Sequence, residues 1–225
     1  MNRRMDAPRD RALAYETNNW SPRLADFYDP TARFWPSLAE QLEAATCAGF
    51  GHFVLDSGSL AAHLRHGGAL PGLRAHLDTL DLRCLAVADI TIVEDVDAVI
   101  AAARPLLDAV RVLEAPFLQA IVMGVPGNCL QPARALEQLA AAAGATVALE
   151  FLPFSAVNSI GAAQAFIRAA ELCNTRLLVD SWHFFQGPST WEQLCGLWPQ
   201  EIAYLQFADH AAIGVDNPLH ATVNE

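Results

Sequence analysis

The 225-residue chain is 53% hydrophobic and 17% charged, which is enough apolar material for one compact core and argues against disorder. Its formal net charge of −11 and its lack of Lys argue against nucleic acid and anionic membranes as partners, because clustered basic side chains bind both. No apolar run approaches the roughly 20 residues that a membrane-spanning helix needs. The five cysteines are scattered and never form a Cys-x-x-Cys pair, which indicates a reducing, cytoplasmic location.

Short apolar runs alternate along the chain with Ala- and Leu-rich stretches of helical period, a pattern typical of repeated βα units. No Pro-, Ser- or Gly-rich linker divides them, so we predict a single domain over residues 1–225. The predicted strands are, in chain order, Ala12 to Thr17, His52 to Asp56, Arg83 to Ala88, Phe117 to Met123, Thr146 to Glu150, Thr175 to Asp180 and Ile202 to Gln206. The predicted helices are Pro36 to Ala48, Leu70 to Leu80, Val96 to Ala109, Gln131 to Ala143, Ile160 to Leu172 and Thr190 to Leu197.

This alternation predicts an α/β fold, a (β/α)8 TIM barrel in which the eighth βα unit is missing from the chain. The residues after Gln206 carry Asp, Asn and Pro turn signals instead of a helix followed by a strand. We therefore expect a barrel domain that is incomplete at its C-terminal end. Closure of the sheet by another subunit, in a homo-oligomer, is the alternative that the sequence leaves open.

Acidic residues stand at the ends of the first two predicted strands. Glu16 lies in "YETNNW" and Asp56 lies in "FVLDSGS". Carboxyl ends of parallel strands share one face of a barrel, where such folds keep their chemistry. We expect both side chains on that face, where they either contact a substrate or cap the loops that follow.

Three later strands each change from apolar to polar at their last residue, which is Glu150, Asp180 or Gln206. If these strands are neighbours, their three head groups converge. Carboxylate and amide oxygens are ligands for Mg²⁺ or Mn²⁺. An unpaired charge at Glu150 would be costly to bury, so its carboxylate either binds a metal, acts as a base or forms an ion pair.

Two further candidates follow these strand ends. His183 comes three residues after Asp180 and has a side chain that can hydrogen-bond or protonate a substrate oxygen at neutral pH. Packing among the neighbouring aromatic residues is the alternative for this histidine. Asp209 follows Gln206 closely and either holds a ligand or water by a hydrogen bond, or faces solvent in a loop, or caps a helix.

The segments "ALEFLPF", "LLVDSWHFF" and "YLQFADH" resemble the ends of strands five, six and seven in the xylose isomerase-like TIM barrels. That family comprises sugar phosphate isomerases and epimerases and also contains the AP endonuclease family 2. "VDSWH" is the most specific part of the resemblance, which covers most of the chain in strand order. The family's fourth metal ligand, a Glu on strand eight, has no counterpart before Glu225.

The resemblance implies one divalent ion, Mn²⁺, Mg²⁺, Co²⁺ or Zn²⁺, bound by Glu150, Asp180 and Gln206, with His183 contacting a substrate oxygen. Glutamine at the third position is most similar to hydroxypyruvate isomerase. The implied activity is isomerisation or epimerisation of a sugar or small hydroxy-carbonyl compound, in which Glu150 removes a proton to give an enediolate. A dehydratase of the same fold, acting on an inosose or on 3-dehydroshikimate, and a non-catalytic ligand-binding barrel are the alternatives.

Overall fold

The computed structural model describes residues 13–20 and 36–208. These residues contain seven strands in one sheet, and each strand pairs in parallel with the next one along the chain. Consecutive parallel pairing confirms the predicted series of βα units. The strands are β1 (Ala14–Glu16), β2 (His52–Asp56), β3 (Arg83–Ile92), β4 (Phe117–Val122), β5 (Thr146–Glu150), β6 (Thr175–Asp180) and β7 (Ile202–Gln206).

Helices connect the strands. In the described residues they are α1 (Leu38–Cys47), α2 (Ser57–Arg65), α3 (Leu70–Leu80), α4 (Val96–Leu113), α5 (Leu130–Ala142), α6 (Ile160–Ala169), α7 (Ser181–Gln186) and α8 (Trp191–Cys195). None of them is both long and apolar enough to cross a membrane.

Local signals set several helix ends. Ser37 and Glu40 form a capping box, in which each side chain binds the other residue's backbone N–H and thereby starts α1. Thr190 caps α8 in the same way, as the sequence predicts. Gly49 follows α1 with a φ of 99° and Gly144 follows α5 with a φ of 88°, conformations that glycine adopts at little cost.

The sheet buries both of its faces. Alternate strand residues such as Val87, Leu118 and Leu149 point outward and pack in the main core beneath the helices. The opposite face encloses a smaller cluster around Val54 and Ala86. Burial on both faces explains why the strands read as nearly continuous apolar runs.

The sheet curls until its two edge strands approach each other. The side chains of Gln206 on β7 and Glu16 on β1 are joined by a hydrogen bond of 2.9 Å, although no backbone pairing links those strands in the described residues. A flat sheet would hold its first and seventh strands about 29 Å apart, at about 4.8 Å per strand. The seven strands therefore form a curled, unclosed barrel in the described residues, which confirms the predicted fold class.

Strand β3 is longer than predicted, since it continues past Ala88 to Ile92. Asp89 is a poor strand former and suggests an end, but the β-branched residues after it keep the strand going. The pairing of β3 with β4 shifts between Val87 and Ile90, so the strand contains an irregularity at Asp89. This detail places an additional carboxyl group near the end of the barrel.

Two helices, α2 and α7, are absent from the sequence-based prediction. Each begins immediately after a strand, and the last residue of that strand is its N-cap, Asp56 for α2 and Asp180 for α7. Their compositions, "SGSLAAHLR" and "SWHFFQ", give little helical period over so few residues. Capping by the strand-terminal Asp, instead of intrinsic propensity, starts these helices.

Candidate active site

Glu150, Asp180 and Gln206 end three neighbouring strands, as the sequence predicts. In the sheet register, Glu150 lies opposite Leu178 of β6, and Asp180 lies directly opposite Gln206 of β7. The carboxyl ends of β5, β6 and β7 lie at the same end of the barrel as the carboxyl ends of β1 and β2. That end is the candidate active site.

Glu150 is 6% exposed, and its carboxylate is held from two sides. Its Oε2 accepts a hydrogen bond of 2.8 Å from Gln119 Nε2, and its Oε1 lies 3.3 Å from His183 Nε2. The sequence predicts a metal, base or ion-pair role for Glu150, and the structure shows that a basic side chain beside it is that of a histidine. When His183 is protonated, its pairing with Glu150 reduces the cost of burying this carboxylate.

His183 lies in α7 and is buried, whereas the sequence suggests a loop. Burial opposes charging of its imidazole, but the hydrogen bond to Glu150 and the charges of Glu150 and Asp180 raise its pKa above the ordinary value. Its ring packs edge-on against Phe154 with the ring centroids 6.3 Å apart. Its Nδ1 has no hydrogen-bond partner. Contact of His183 with a substrate oxygen stays a prediction, and the aromatic residue that its ring packs against is Phe154.

Asp180 has a structural task in addition to its position at the site. Its Oδ1 accepts a 3.0 Å hydrogen bond from the backbone N–H of His183 and so caps α7. Burial raises the pKa of Asp180, as does the charge of Glu150, although His183 and the capping bond act in the opposite direction. His183 and the capping bond therefore do not fully offset burial and the charge of Glu150, and the pKa of Asp180 lies above its ordinary value.

Glu16 joins this end of the barrel from β1. Its Oε2 accepts a 2.9 Å hydrogen bond from Gln206 Nε2 across the gap between β7 and β1. Burial raises the pKa of Glu16 to about 8, and the charges of Glu150, Asp56, Asp180 and Asp89 add to the effect. Such mutual repulsion is expected where carboxylates share a site without a cation.

Five carboxyl groups lie at this end of the barrel, and we call them the acidic cluster: those of Glu16, Asp56, Asp89, Glu150 and Asp180. Asp56 is 3% exposed and caps α2 by accepting a 2.8 Å bond from Ser59 N, while the Thr17 hydroxyl donates to its other oxygen. Of the two roles left open for Asp56, capping is the one the structure displays. Burial raises the pKa of Asp89 to about 6, with Glu150 and Asp56 contributing.

No basic side chain other than His183 compensates the acidic cluster in the described part of the chain. The arginines that form ion pairs there are Arg74, Arg111 and Arg134, which lie on α3, α4 and α5 and pair with surface carboxylates. A bound divalent cation would provide the missing positive charge and would reverse these pKa shifts.

The donor atoms fit such a cation by their chemistry. Across residues 13–20 and 36–208, no three His, Cys, Asp or Glu side chains are grouped so as to hold an ion by themselves. The predicted set differs from such a group because its third donor is an amide. Gln206 donates to Glu16 through Nε2, so this hydrogen bond does not occupy its Oε1, the atom that would bind a cation. Oxygen donors of this kind suit hard cations such as Mg²⁺ and Mn²⁺. Asp209, the remaining predicted site residue, lies outside the described residues.

Sequence reasoning missed three participants, Asp89, Gln119 and Tyr204. Gln119 is a single polar residue within the apolar strand "FLQAIV", which is the one signal that points to a special environment. Its Oε1 accepts a 2.9 Å hydrogen bond from the Tyr204 hydroxyl, three strands away. Nothing local in the sequence pairs these two residues.

No protein-family model matches this sequence, and no curated protein matches it. Solved structures share the fold. A xylose isomerase-like TIM barrel/4-hydroxyphenylpyruvate dioxygenase fusion protein aligns with a TM-score of 0.72 and 18% identity, covering 82% of this chain but only 31% of that one. The chain therefore spans about a third of the length of that protein.

Two other structures align over more of their own length. The IolI protein, whose structure holds a bound zinc atom, has a TM-score of 0.71 and 17% identity over 90% of this chain and 74% of that one. The 3-keto-D-glucoside 4-epimerase YcjR from E. coli has a TM-score of 0.62 and 14% identity over 95% and 96% of the two chains. The similarity to xylose isomerase-like TIM barrels is thus confirmed for the fold.

Proposed function

We propose that this protein is a divalent-metal-dependent isomerase or epimerase of a sugar or small hydroxy-carbonyl compound. One observation carries the proposal. Glu150, Asp180 and Gln206 end adjacent strands within a cluster of carboxyl groups that has His183 as its basic member in the described chain. The fold shared with an epimerase and with a zinc-binding protein supports the same function.

Glu150, Asp180 and Gln206 are the proposed ligands of one Mn²⁺, Mg²⁺, Co²⁺ or Zn²⁺ ion. When bound there, such an ion would polarise the oxygens of a hydroxy-carbonyl compound and would lower the pKa of the neighbouring C–H group. Raised pKa values at Glu16, Asp89 and Asp180 support the need for a cation here. Cation binding and proton binding then compete for the same carboxylates.

The protein's own side chains perform the proton transfer in this proposal. Glu150 Oε1 takes the proton from the carbon next to the substrate carbonyl, since Oε2 is already bound to Gln119. His183 lies 3.3 Å from that same oxygen and, in its charged form, stabilises the carboxylate and donates a hydrogen bond to a substrate oxygen. Return of the proton from Glu150 to the neighbouring carbon would isomerise the substrate, whereas epimerisation would need a second acid to deliver a proton to the opposite face of the same carbon.

The proposed substrate is an uncharged polyhydroxy carbonyl compound. Hydroxyl groups can donate to the acidic cluster, whereas a phosphate group would meet repulsion there. Phosphate binding generally relies on Arg or Lys, and the arginine ion pairs of the described residues are on the outer helices.

The decisive test has a binding part and a reaction part. At 100 times its Kd, Mn²⁺ should stabilise the wild-type protein by about 2.7 kcal/mol and raise its Tm. Asp180→Asn should lose most of this stabilisation, although asparagine still caps α7. Asp95→Asn is the matched control, because Asp95 caps α4 by the same kind of bond outside the cluster. An equal metal-induced shift in the wild type and Asp180→Asn would contradict the proposed ligand set.

For the reaction, the protein is incubated with Mn²⁺ and a panel of ketoses in D2O. Isomerase or epimerase chemistry should place deuterium on the carbon next to the carbonyl, as read by NMR, and Glu150→Gln should abolish it. Loss of water to a conjugated or deoxy product would identify a dehydratase instead. Metal binding without exchange or water loss on the panel would favour a ligand-binding barrel.

A further inference from the structure

A chain of hydrogen bonds crosses the interior of the barrel below the acidic cluster. The Tyr204 hydroxyl donates to Gln119 Oε1 at 2.9 Å, and Gln119 Nε2 donates to Glu150 Oε2 at 2.8 Å. The other oxygen of Glu150 lies 3.3 Å from His183 Nε2. The four residues come from β7, β4, β5 and α7, so the fold alone brings them together.

The chain has a direction. A phenol hydroxyl is a donor at neutral pH, and the Tyr204 hydroxyl lies 2.9 Å from Gln119 Oε1. If Tyr204 donates to the amide oxygen, the amide nitrogen must face Glu150. An ionised carboxylate oxygen is then the acceptor that matches it.

The network is also held firmly in place. Gln119 is 5% exposed and Glu150 is 6% exposed, so neither can exchange its bond for one to bulk water. The Tyr204 ring packs against Phe117 with centroids 5.6 Å apart. Reversal of the Gln119 amide would set its oxygen against the carboxylate and would leave two buried groups unsatisfied.

We infer that Gln119 and Tyr204 are positioning residues for Glu150: Gln119 binds its Oε2, Tyr204 holds the Gln119 amide in that orientation, and Oε1 is left as the oxygen that faces His183 and is available to metal and substrate. The hydrogen bonds that carry this inference do not depend on the proposed function, but their effect on metal binding rests on it. Residues that hydrogen-bond a metal-binding carboxylate typically change metal affinity 10- to 100-fold when removed. Gln119→Leu should therefore raise the Kd for Mn²⁺ by about 10-fold or more.

The protein contains a matched control for this network. Tyr15 donates to Gln41 Oε1 at 3.0 Å, and Gln41 Nε2 donates to the Pro36 carbonyl at 2.9 Å. This is the same Tyr-to-Gln relay, but it ends on a backbone carbonyl between β1 and α1 instead of on a site carboxylate. Tyr15→Phe thus removes a comparable buried bond without touching Glu150.

The first arm of the experiment uses the metal-free protein. The side-chain amide signals of Gln119 are assigned in a ¹⁵N spectrum by their loss in Gln119→Leu. They should move in Tyr204→Phe and in Glu150→Gln but stay in place in Tyr15→Phe, which should move the Gln41 signals instead. Unmoved Gln119 signals in Tyr204→Phe would overturn the inference, whether or not the protein binds a metal.

The second arm measures Mn²⁺ binding by calorimetry. Tyr204→Phe should weaken binding in the wild-type background and should have little further effect in Gln119→Leu, since Tyr204 acts through Gln119. If both variants melt at lower temperature but keep the wild-type Kd, the two residues are merely structural and the inference fails. If the wild type binds no Mn²⁺, the proposed function fails, and the spectra alone decide the inference.

Discussion

The acidic cluster makes the stability of the metal-free protein depend on pH, and Glu16→Gln is the most informative perturbation of that dependence. Glutamine has nearly the same shape as glutamate and retains an oxygen that can accept the bond from Gln206. It removes one negative charge from a set of carboxyl groups that repel each other. We expect the variant to be more stable than the wild type at alkaline pH.

The magnitude follows from the pKa of Glu16, which burial and the neighbouring carboxylates raise from 4.5 to about 8. At about 1.4 kcal/mol for each tenfold change, the full rise corresponds to at most about 5 kcal/mol. Between pH 4.5 and about 8 the folded protein holds a proton that the unfolded chain releases. The free energy of unfolding should therefore be highest below this window and should fall as pH rises through it.

Urea denaturation in the presence of EDTA, at pH 5, 7 and 9, measures this effect. Glu16→Gln should match the wild type most closely at pH 5 and exceed it by several kcal/mol at pH 9. Glu192→Gln is the control, since Glu192 is exposed on α8 and its replacement changes net charge equally. A stability difference that is the same at pH 5 and pH 9 would refute the reasoning about the cluster.

Two further changes extend the argument. Asp89→Asn should also stabilise the metal-free protein above about pH 6, by at most about 3 kcal/mol, because burial raises the pKa of Asp89 from 3.8 to about 6. The same denaturation series tests it, and a destabilised variant at pH 9 would count against a repulsive role. Leu136→Ala should lower the free energy of unfolding by about 2–5 kcal/mol at every pH, because Leu136 on α5 is fully buried in the main core between the helices and the sheet. A pH-dependent loss there would show that the core and the cluster are coupled.

Much of the fold is visible in the sequence because strands and helices of a βα barrel repeat a local pattern. The polar residues that end β5, β6 and β7 interrupt apolar runs, so the sequence alone singles out Glu150, Asp180 and Gln206 as candidate site residues. The parallel order of the strands then places them side by side. The low strand propensity of Asp89 led the prediction to end β3 too early, at Ala88.

The contacts among site residues could not be obtained in this way. Glu150 pairs with His183, Gln206 with Glu16, and Tyr204 with Gln119, all across different elements. The capping task of Asp180 was likewise hidden, and so was the helix α2 that Asp56 caps, since α2 and α7 are too short to show a period.

By itself the sequence determined the order of elements and the chemical types of residue that meet at one end of the barrel, because hydrophobic period and strand-end polarity are local properties. Only the tertiary structure decided which oxygen of Glu150 is bound, which partner His183 takes and that the pKa values of Glu16, Asp89 and Asp180 are raised. Those properties depend on distances of about 3 Å between residues far apart in the chain, and such distances exist only once the sheet has curled.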